Sequence, residues 1–255
     1  MNNQLTFFEP IGLEEVNQKA ALLKRVDTKY VLRPEQLPAL LPLWSQSHRV
    51  LEIEDNRLAH YKTIYYDTAN FSLYHAHHSG TANRVKFRER FYENSGINFF
   101  EIKVRTNKGI TDKIRSRIKN HKNTDFYLEE GKKMYPRHLN GNELKKSLQV
   151  NYDRITLVGN HHAERITIDC NLQFSINDQN IKLYDRIIIE VKTEKGTHSQ
   201  THHQLKKNGI RSGSISKYCL GIIKLYPEVK KNRFKNSLRI IEKQLKQYDT
   251  TTNSC

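Results

Sequence analysis

Cysteine is scarce in this chain. Its 255 residues hold three, Cys170, Cys219 and Cys255, with no CxxC spacing among them. That excludes a cysteine-built zinc site and argues against a disulfide framework, so a reducing cytoplasm is the expected compartment. No apolar run approaches the roughly 18 residues of a spanning helix. The opening stretch, Met1 to Pro10, also lacks the basic-then-apolar layout of a secretory leader. A soluble chain is expected. Internal repeats and low-complexity linkers are absent too, and the length suits one elaborate domain. The last shortage is of acids: 27 Asp and Glu stand against 43 Lys and Arg, a formal charge of +16. The expected partner is therefore polyanionic, meaning nucleic acid, an acidic membrane surface or phosphate compounds.

What is present reads as an α+β chain dominated by antiparallel strands. Leu13, Val16, Ala20 and Leu23 have helical spacing, and a strand is expected over Arg25 to Leu32. Pro34 suits a helix start ahead of an apolar stripe at Leu37, Leu40, Leu41 and Trp44. Arg49 to Ile53 and Leu58 to Tyr66 read as the arms of a hairpin turning at Asp55-Asn56. Asp67-Thr68 offers an N-cap for a short helix through Tyr74. From Arg84 onward strands dominate, with helices expected between Asp125 and Leu148 and between Ser199 and Lys207. Phe234, Leu238, Ile241 and Leu245 mark one face of a C-terminal amphipathic helix, and Thr250 to Cys255 reads as a frayed tail.

Three successive strands carry the strongest signal. Because alternate strand residues face opposite sides, Arg84, Lys86, Arg88 and Arg90 share one face, and Val85, Phe87, Glu89 and Phe91 the other. Glu101, Lys103 and Arg105 oppose Phe100, Ile102 and Val104, and Lys113, Arg115 and Arg117 oppose Ile114 and Ile118. A solvated sheet surface would intersperse signs, since like charges set opposite one another destabilise a sheet. Here Glu101 is the lone acid among nine bases, which points to an anion-binding wall. Phe87, Phe91 and Phe100 lie away from the bases, whereas readers of single-stranded nucleic acid interleave aromatics with them. Phosphate is favoured over nucleobases, and no nucleic acid is expected. Glu190, in line with Lys192, is a carboxylate among cations, suited to Mg²⁺ or Mn²⁺ or to a salt bridge. Asp27 and Lys29 share a strand face, and Lys217 follows a glycine-containing loop.

Taken together, these pieces resemble the vacuolar transporter chaperone (VTC) domain, the polyphosphate polymerase branch of the triphosphate tunnel metalloenzymes within the CYTH-like superfamily. The matching pieces are Arg25-Val26-Asp27-Thr28-Lys29-Tyr30, Thr63 to Thr68, Arg88-Glu89-Arg90-Phe91-Tyr92, Phe100-Glu101-Ile102-Lys103, Tyr152-Asp153-Arg154, Arg165 to Asp169, Ile189 to Lys192 and Ser216-Lys217-Tyr218. They run from about Phe8 to Tyr226. The resemblance implies an antiparallel β-barrel tunnel with helices packed outside. Lys29, Arg88, Arg90, Lys103, Arg154, Arg165 and Lys217 would face the phosphates, with Glu190 on the metal. It also implies transfer of the γ-phosphoryl of ATP to polyphosphate. The N-terminal strand offers only Asp27 and Lys29 where many tunnel enzymes have an ExExK motif, which weighs against a two-metal triphosphatase. The membrane segments and phosphoinositide-sensing extension of eukaryotic relatives are absent, as in a standalone bacterial-type member.

On this reading Lys29, Arg88, Arg90 and Lys103 are the catalytic candidates. Lys86, Arg105, Lys113, Arg115, Arg154, Arg165, Lys192 and Lys217 are the phosphate-binding candidates. Two alternatives use the same groove: a triphosphatase or polyphosphatase with water as nucleophile, and a non-catalytic polyanion-binding module. His75, His77 and His78, and His198, His202 and His203, lack the partners of a zinc site. The C-terminal helix is expected to pack on the domain, with a membrane-protein partner as the lesser alternative.

Overall fold

The computed structural model describes residues 4–20, 25–118, 124–139, 141–161, 163–213, 216–239 and 242. In chain order the elements are β1 Pro10–Ile11, α1 Leu13–Ala20, β2 Arg25–Leu32, α2 Leu37–Ser45, β3 His48–Leu51, β4 Ala59–Asp67, α3 Ser72–Ser79, β5 Arg84–Tyr92 and β6 Ile97–Arg105. They continue with β7 Thr111–Ile118, α4 Thr124–Met134, β8 Lys145–Gly159, β9 Arg165–Ile176, β10 Gln179–Leu183, β11 Ile187–Glu194, α5 Gln200–Lys207, β12 Ser212–Gly213 and α6 Lys217–Leu225. One sheet joins the strands in the order β12-β2-β11-β9-β8-β4-β5-β6-β7. Every described pairing is antiparallel except the short β1–β3 contact.

The expected hairpin between Arg49–Ile53 and Leu58–Tyr66 does not form. Its turn exists, bridged at Ile53 and Asn56 with Glu54 and Asp55 at positive φ. The two arms instead lie one after the other along a single edge of β8: β3 pairs with Leu157 to Gly159, and β4 with Lys145 to Arg154. At 15 residues β8 is long enough for both. It also claims Lys145 to Leu148, which the sequence had assigned to a helical stretch; the helix there ends at Met134. Asp67 does cap α3, accepting from the backbone amides of Leu73 and Tyr74 at 2.9 Å each. Phe234 and Leu238 pack against the core, while Ile241, Leu245 and the expected tail lie outside the described residues.

The convex face of the sheet is apolar because one residue in two along each strand is. Tyr30, Ile155, Ile166, Ile168, Ile189 and Val191 pack against Leu40 and Trp44 of α2 and Leu205 of α5. Val85, Phe87, Phe100 and Ile102 pack against Leu73 of α3 and Leu128 of α4. Helices thus cover the outside, as expected, and α6 supplies a refinement. It packs on the concave face, against Val31, Leu148, Val150, Phe174 and Ile188. Gly221 permits that approach: a Cβ there would meet Leu148 Cδ2 at 2.6 Å and Phe174 Cδ1 at 2.9 Å.

Among the described residues β12 and β7 form the open edges, so hydrogen bonds do not close the sheet. It curls instead. Lys103 on β6 lies within the field of Glu190 on β11, and Lys29 on β2 within that of Arg105 on β6. Walls from opposite ends of the sheet thus face each other across a tunnel.

Candidate functional site

The inner wall is the face the alternation picks out. Direct cross-strand pairing sets Arg84 opposite Arg105 and Lys86 opposite Lys103, then Lys103 opposite Lys113. Three lysines therefore stand in one row across β5, β6 and β7. The repulsion shows in their acidity. The charge of Arg88 first, then burial and Arg90, bring Lys103 down to about 6. Burial chiefly takes Lys113 down to about 8, and burial also lowers Lys86. Lys86 donates to Ser216 Oγ at 3.2 Å, at the N-cap of α6.

Three acids, Glu101 and Asp169 buried and Glu190 partly so, hold the bases in place. Glu101, fully buried on β6, accepts from Arg88 Nε at 2.6 Å. It also pairs with Lys113 and lies 3.8 Å from Arg90 and 3.6 Å from Arg115. Burial opposes its charge, but Arg88, Arg90 and Lys113 hold its pKa far below the usual carboxylate range. Asp169 on β9 takes two hydrogen bonds from Arg154, at 2.6 and 2.8 Å, and one from Lys217. Again the cations outweigh burial and depress its pKa. Glu190 on β11 accepts from Lys29 at 2.8 Å and from Lys192, and Lys192 also reaches Asp27 at 3.1 Å. Burial is again overcome, and Lys192 and Lys29 pull Glu190 well below its ordinary value. Burial works against Lys29 as well, yet Glu190 raises its pKa. Arg165 shares the face of Thr167 and Asp169 and stands across from Lys192. Arg105, towards one mouth, donates to Thr111 Oγ1 at 3.2 Å.

A family model, the VTC domain, matches residues 24–226. The chain belongs to the VTC-domain family. No curated protein matches it. Among solved structures, a candidate adenylate cyclase from Bacillus halodurans is similar at 15% identity and TM-score 0.50, over 79% of this chain and 96% of that one. The adenylyl cyclase HpAC1 from Hippeastrum, described as having a dominant triphosphatase activity, aligns at 14% identity and TM-score 0.45, over 77% and 95%. The first likeness concerns the fold. VTC-domain membership places the chain in a triphosphate-tunnel family, for which a divalent metal is implied.

The wall of this VTC domain also corrects the reading of its aromatics. Phe87 and Phe100 do face outward, but other rings stand among the bases. Tyr61 and Tyr152 stack at 5.2 Å between centroids, and Tyr92 lies 4.9 Å from Tyr61. Arg154 sits over Tyr61 and Tyr152 at 5.0 and 5.3 Å, Lys217 over Tyr152 at 4.8 Å, and Arg115 over Phe99 at 3.5 Å. Burial pushes Tyr61 up to about 12, while Arg90 and Arg154 overcome burial to lower Tyr152. Aromatic placement therefore does not by itself set phosphate above nucleobases. Sequence reasoning also passed over Asp169 and the hub role of Glu101. The alternation had flagged Glu101's side; Asp169 had no signal beyond its matching family piece.

Among the described residues, no group of three or more His, Cys, Asp or Glu could hold a metal alone. A divalent ion held here would take one or two carboxylates from the protein and its other ligands from substrate phosphates and water. Glu190 on the tunnel wall is a carboxylate of that kind. Two of the flagged histidines are engaged structurally: His78 bonds Asn232 at 2.7 Å and His202 bonds Tyr30 at 2.6 Å. No described helix is long and apolar enough to cross a membrane.

Proposed function

We propose that the tunnel takes ATP and polyphosphate and moves the γ-phosphoryl of the nucleotide onto the chain. The supporting observation is the confrontation of two walls: Arg88, Arg90 and Lys103 on β5 and β6, and Lys29, Glu190 and Lys192 on β2 and β11, with Lys103 within the field of Glu190. Phosphoryl transfer needs positioning and charge neutralisation more than covalent help from the protein. Arg88 and Arg90 grip the transferring group through guanidinium forks, and Lys103 and Lys29 add point charges. Arg154, Arg165, Lys192 and Lys217 hold the neighbouring phosphates, while Lys86, Arg105, Lys113 and Arg115 line the remainder of the wall. Glu190 would hold Mn²⁺ or Mg²⁺, which neutralises charge on phosphate oxygens. The polyphosphate terminus is the nucleophile: its oxygen forms the new bond to the γ-phosphorus as the bond to the β-phosphate breaks and ADP leaves.

Purified protein supplied with ATP and Mn²⁺ is expected to accumulate polyphosphate, and Glu190→Ala is expected to make little. Losing one such clamp costs transition-state stabilisation of about 3 kcal/mol, or about a hundredfold in rate. Equal yields from the two proteins would overturn the assignment of Glu190. Phosphate release without chain growth would identify a hydrolase, and tight metal-independent binding without turnover a polyanion-binding module.

A further inference from the structure

Two hydroxyls on the concave face are buried without a hydrogen-bond partner: Thr63 Oγ1 on β4 and Thr167 Oγ1 on β9. The residues are 1% and 4% exposed, so bulk solvent does not reach them. Folded proteins rarely leave buried polar groups unpaired, because such a group loses its bonds to water and gains nothing. Both threonines stand beside residues of the site. Thr63 is the cross-strand partner of Arg90, whose Nε is likewise buried and unpartnered. Thr167 is the cross-strand partner of Glu190.

The neighbouring ion pairs show why the two hydroxyls are left over. Arg90 leans towards Glu101, 3.8 Å from Nη1, with its guanidinium 5.7 Å from the Tyr61 centroid. Both carboxylate oxygens of Glu190 are taken by lysines, Lys29 and Lys192. A phosphate chain competes with these carboxylates for the same cations. As it draws Arg90 away from Glu101 and the lysines away from Glu190, Arg90 Nε and the Glu190 carboxylate oxygen not turned to a metal are left to take a neutral partner. The nearest in register are the two idle hydroxyls. Thr63 Oγ1 can accept from Arg90 Nε, and Thr167 Oγ1 can donate to the released carboxylate.

We propose that Thr63 and Thr167 are positioning residues for the loaded tunnel, seating Arg90 and Glu190 once an anionic chain has broken their internal ion pairs. The proposal rests on the phosphate-chain reading. It predicts an inverted relation between stability and binding, since a seat used only when loaded is a defect when empty.

The test uses Thr63→Val and Thr167→Val, which keep shape and remove the hydroxyl, and Thr63→Ser and Thr167→Ser, which keep it. Melting of the ligand-free proteins and calorimetric binding of inorganic tripolyphosphate, with and without Mg²⁺, are measured. The valine variants are expected to melt no lower than wild type, yet to bind tripolyphosphate about tenfold more weakly or worse, with the serine variants close to wild type. Valine variants that melt lower when empty would show the hydroxyls serving the resting fold and would overturn the proposal. So would valine variants that bind as tightly as wild type. If wild type takes up no tripolyphosphate, the phosphate-chain reading fails first and the proposal falls with it.

Discussion

The two parts of the concave face are built from the same strands yet solve opposite problems. Along β8 the inward residues run Leu148, Val150, Tyr152 and then Arg154; along β11 they run Ile188, Glu190 and Lys192; along β2, from the other direction, Val31 gives way to Lys29 and Asp27. On one side of that boundary α6 covers the sheet and the packing is apolar. On the other, three acids, two of them buried, hold the cations together. The apolar side is stabilised by close packing that tolerates little change in volume. The charged side is stabilised only while its charges balance, because a buried charge without its partner is far more costly than an imperfect contact.

The comparison can be broken at Glu101. Glu101→Ala leaves Arg88, Arg90, Lys113 and Arg115 without their shared acid, and a loss of about 3 to 5 kcal/mol is expected from denaturant unfolding. Tripolyphosphate should restore stability to this variant by more than it adds to wild type, because the ligand replaces the missing charge; an equal gain would show that Glu101 is not the tunnel's internal counterion. Gly221→Val tests the other side. Its added methyls meet Leu148 and Phe174, so a loss of about 1 to 3 kcal/mol is expected, with no such rescue by tripolyphosphate.

Acidity sharpens the contrast further. Arg88 and burial bring Lys103 down to about 6, and burial brings Lys113 down to about 8, below an unfolded lysine at about 10.4. A base with a lowered folded pKa destabilises the fold increasingly as pH falls from its unfolded value towards its folded one. A bound phosphate chain raises these pKa values, so binding takes up protons between about pH 6 and 8 and strengthens as pH falls. Calorimetry in buffers of different ionisation heat reads that uptake. Lys103→Arg, charged throughout the window, should take up about one proton fewer near pH 7. The smallest effect is expected at the rim: Arg115, its side chain 40% exposed, should cost under about 1 kcal/mol of stability when replaced by alanine.

The outward–inward alternation of β5, β6 and β7 was legible because a period of two is a local property of a strand. The apolar stripe of α2 was legible because helical spacing, too, is a local property. What escaped depended on register between distant segments. The turn at Asp55-Asn56 is real, but nothing local reveals that β8 outbids β4 as the partner of β3. Asp169 sits in Ile166-Thr167-Ile168-Asp169-Cys170, an ordinary strand text, and becomes a hub only when Arg154 and Lys217 arrive from β8 and α6. Tyr61 and Tyr152, which no local pattern singled out, pack in the core and also lie beneath Arg154.

The internal carboxylates bear on how the protein meets salt. A polyanion binding to bases whose counterions are mobile releases those ions to solution, and its affinity then falls steeply as ionic strength rises. In this tunnel the counterions are Glu101, Asp169 and Glu190, tethered to the chain and unable to leave. Exchange of one anion for another replaces the expulsion of salt, so affinity should fall with ionic strength less steeply than the number of wall cations would suggest.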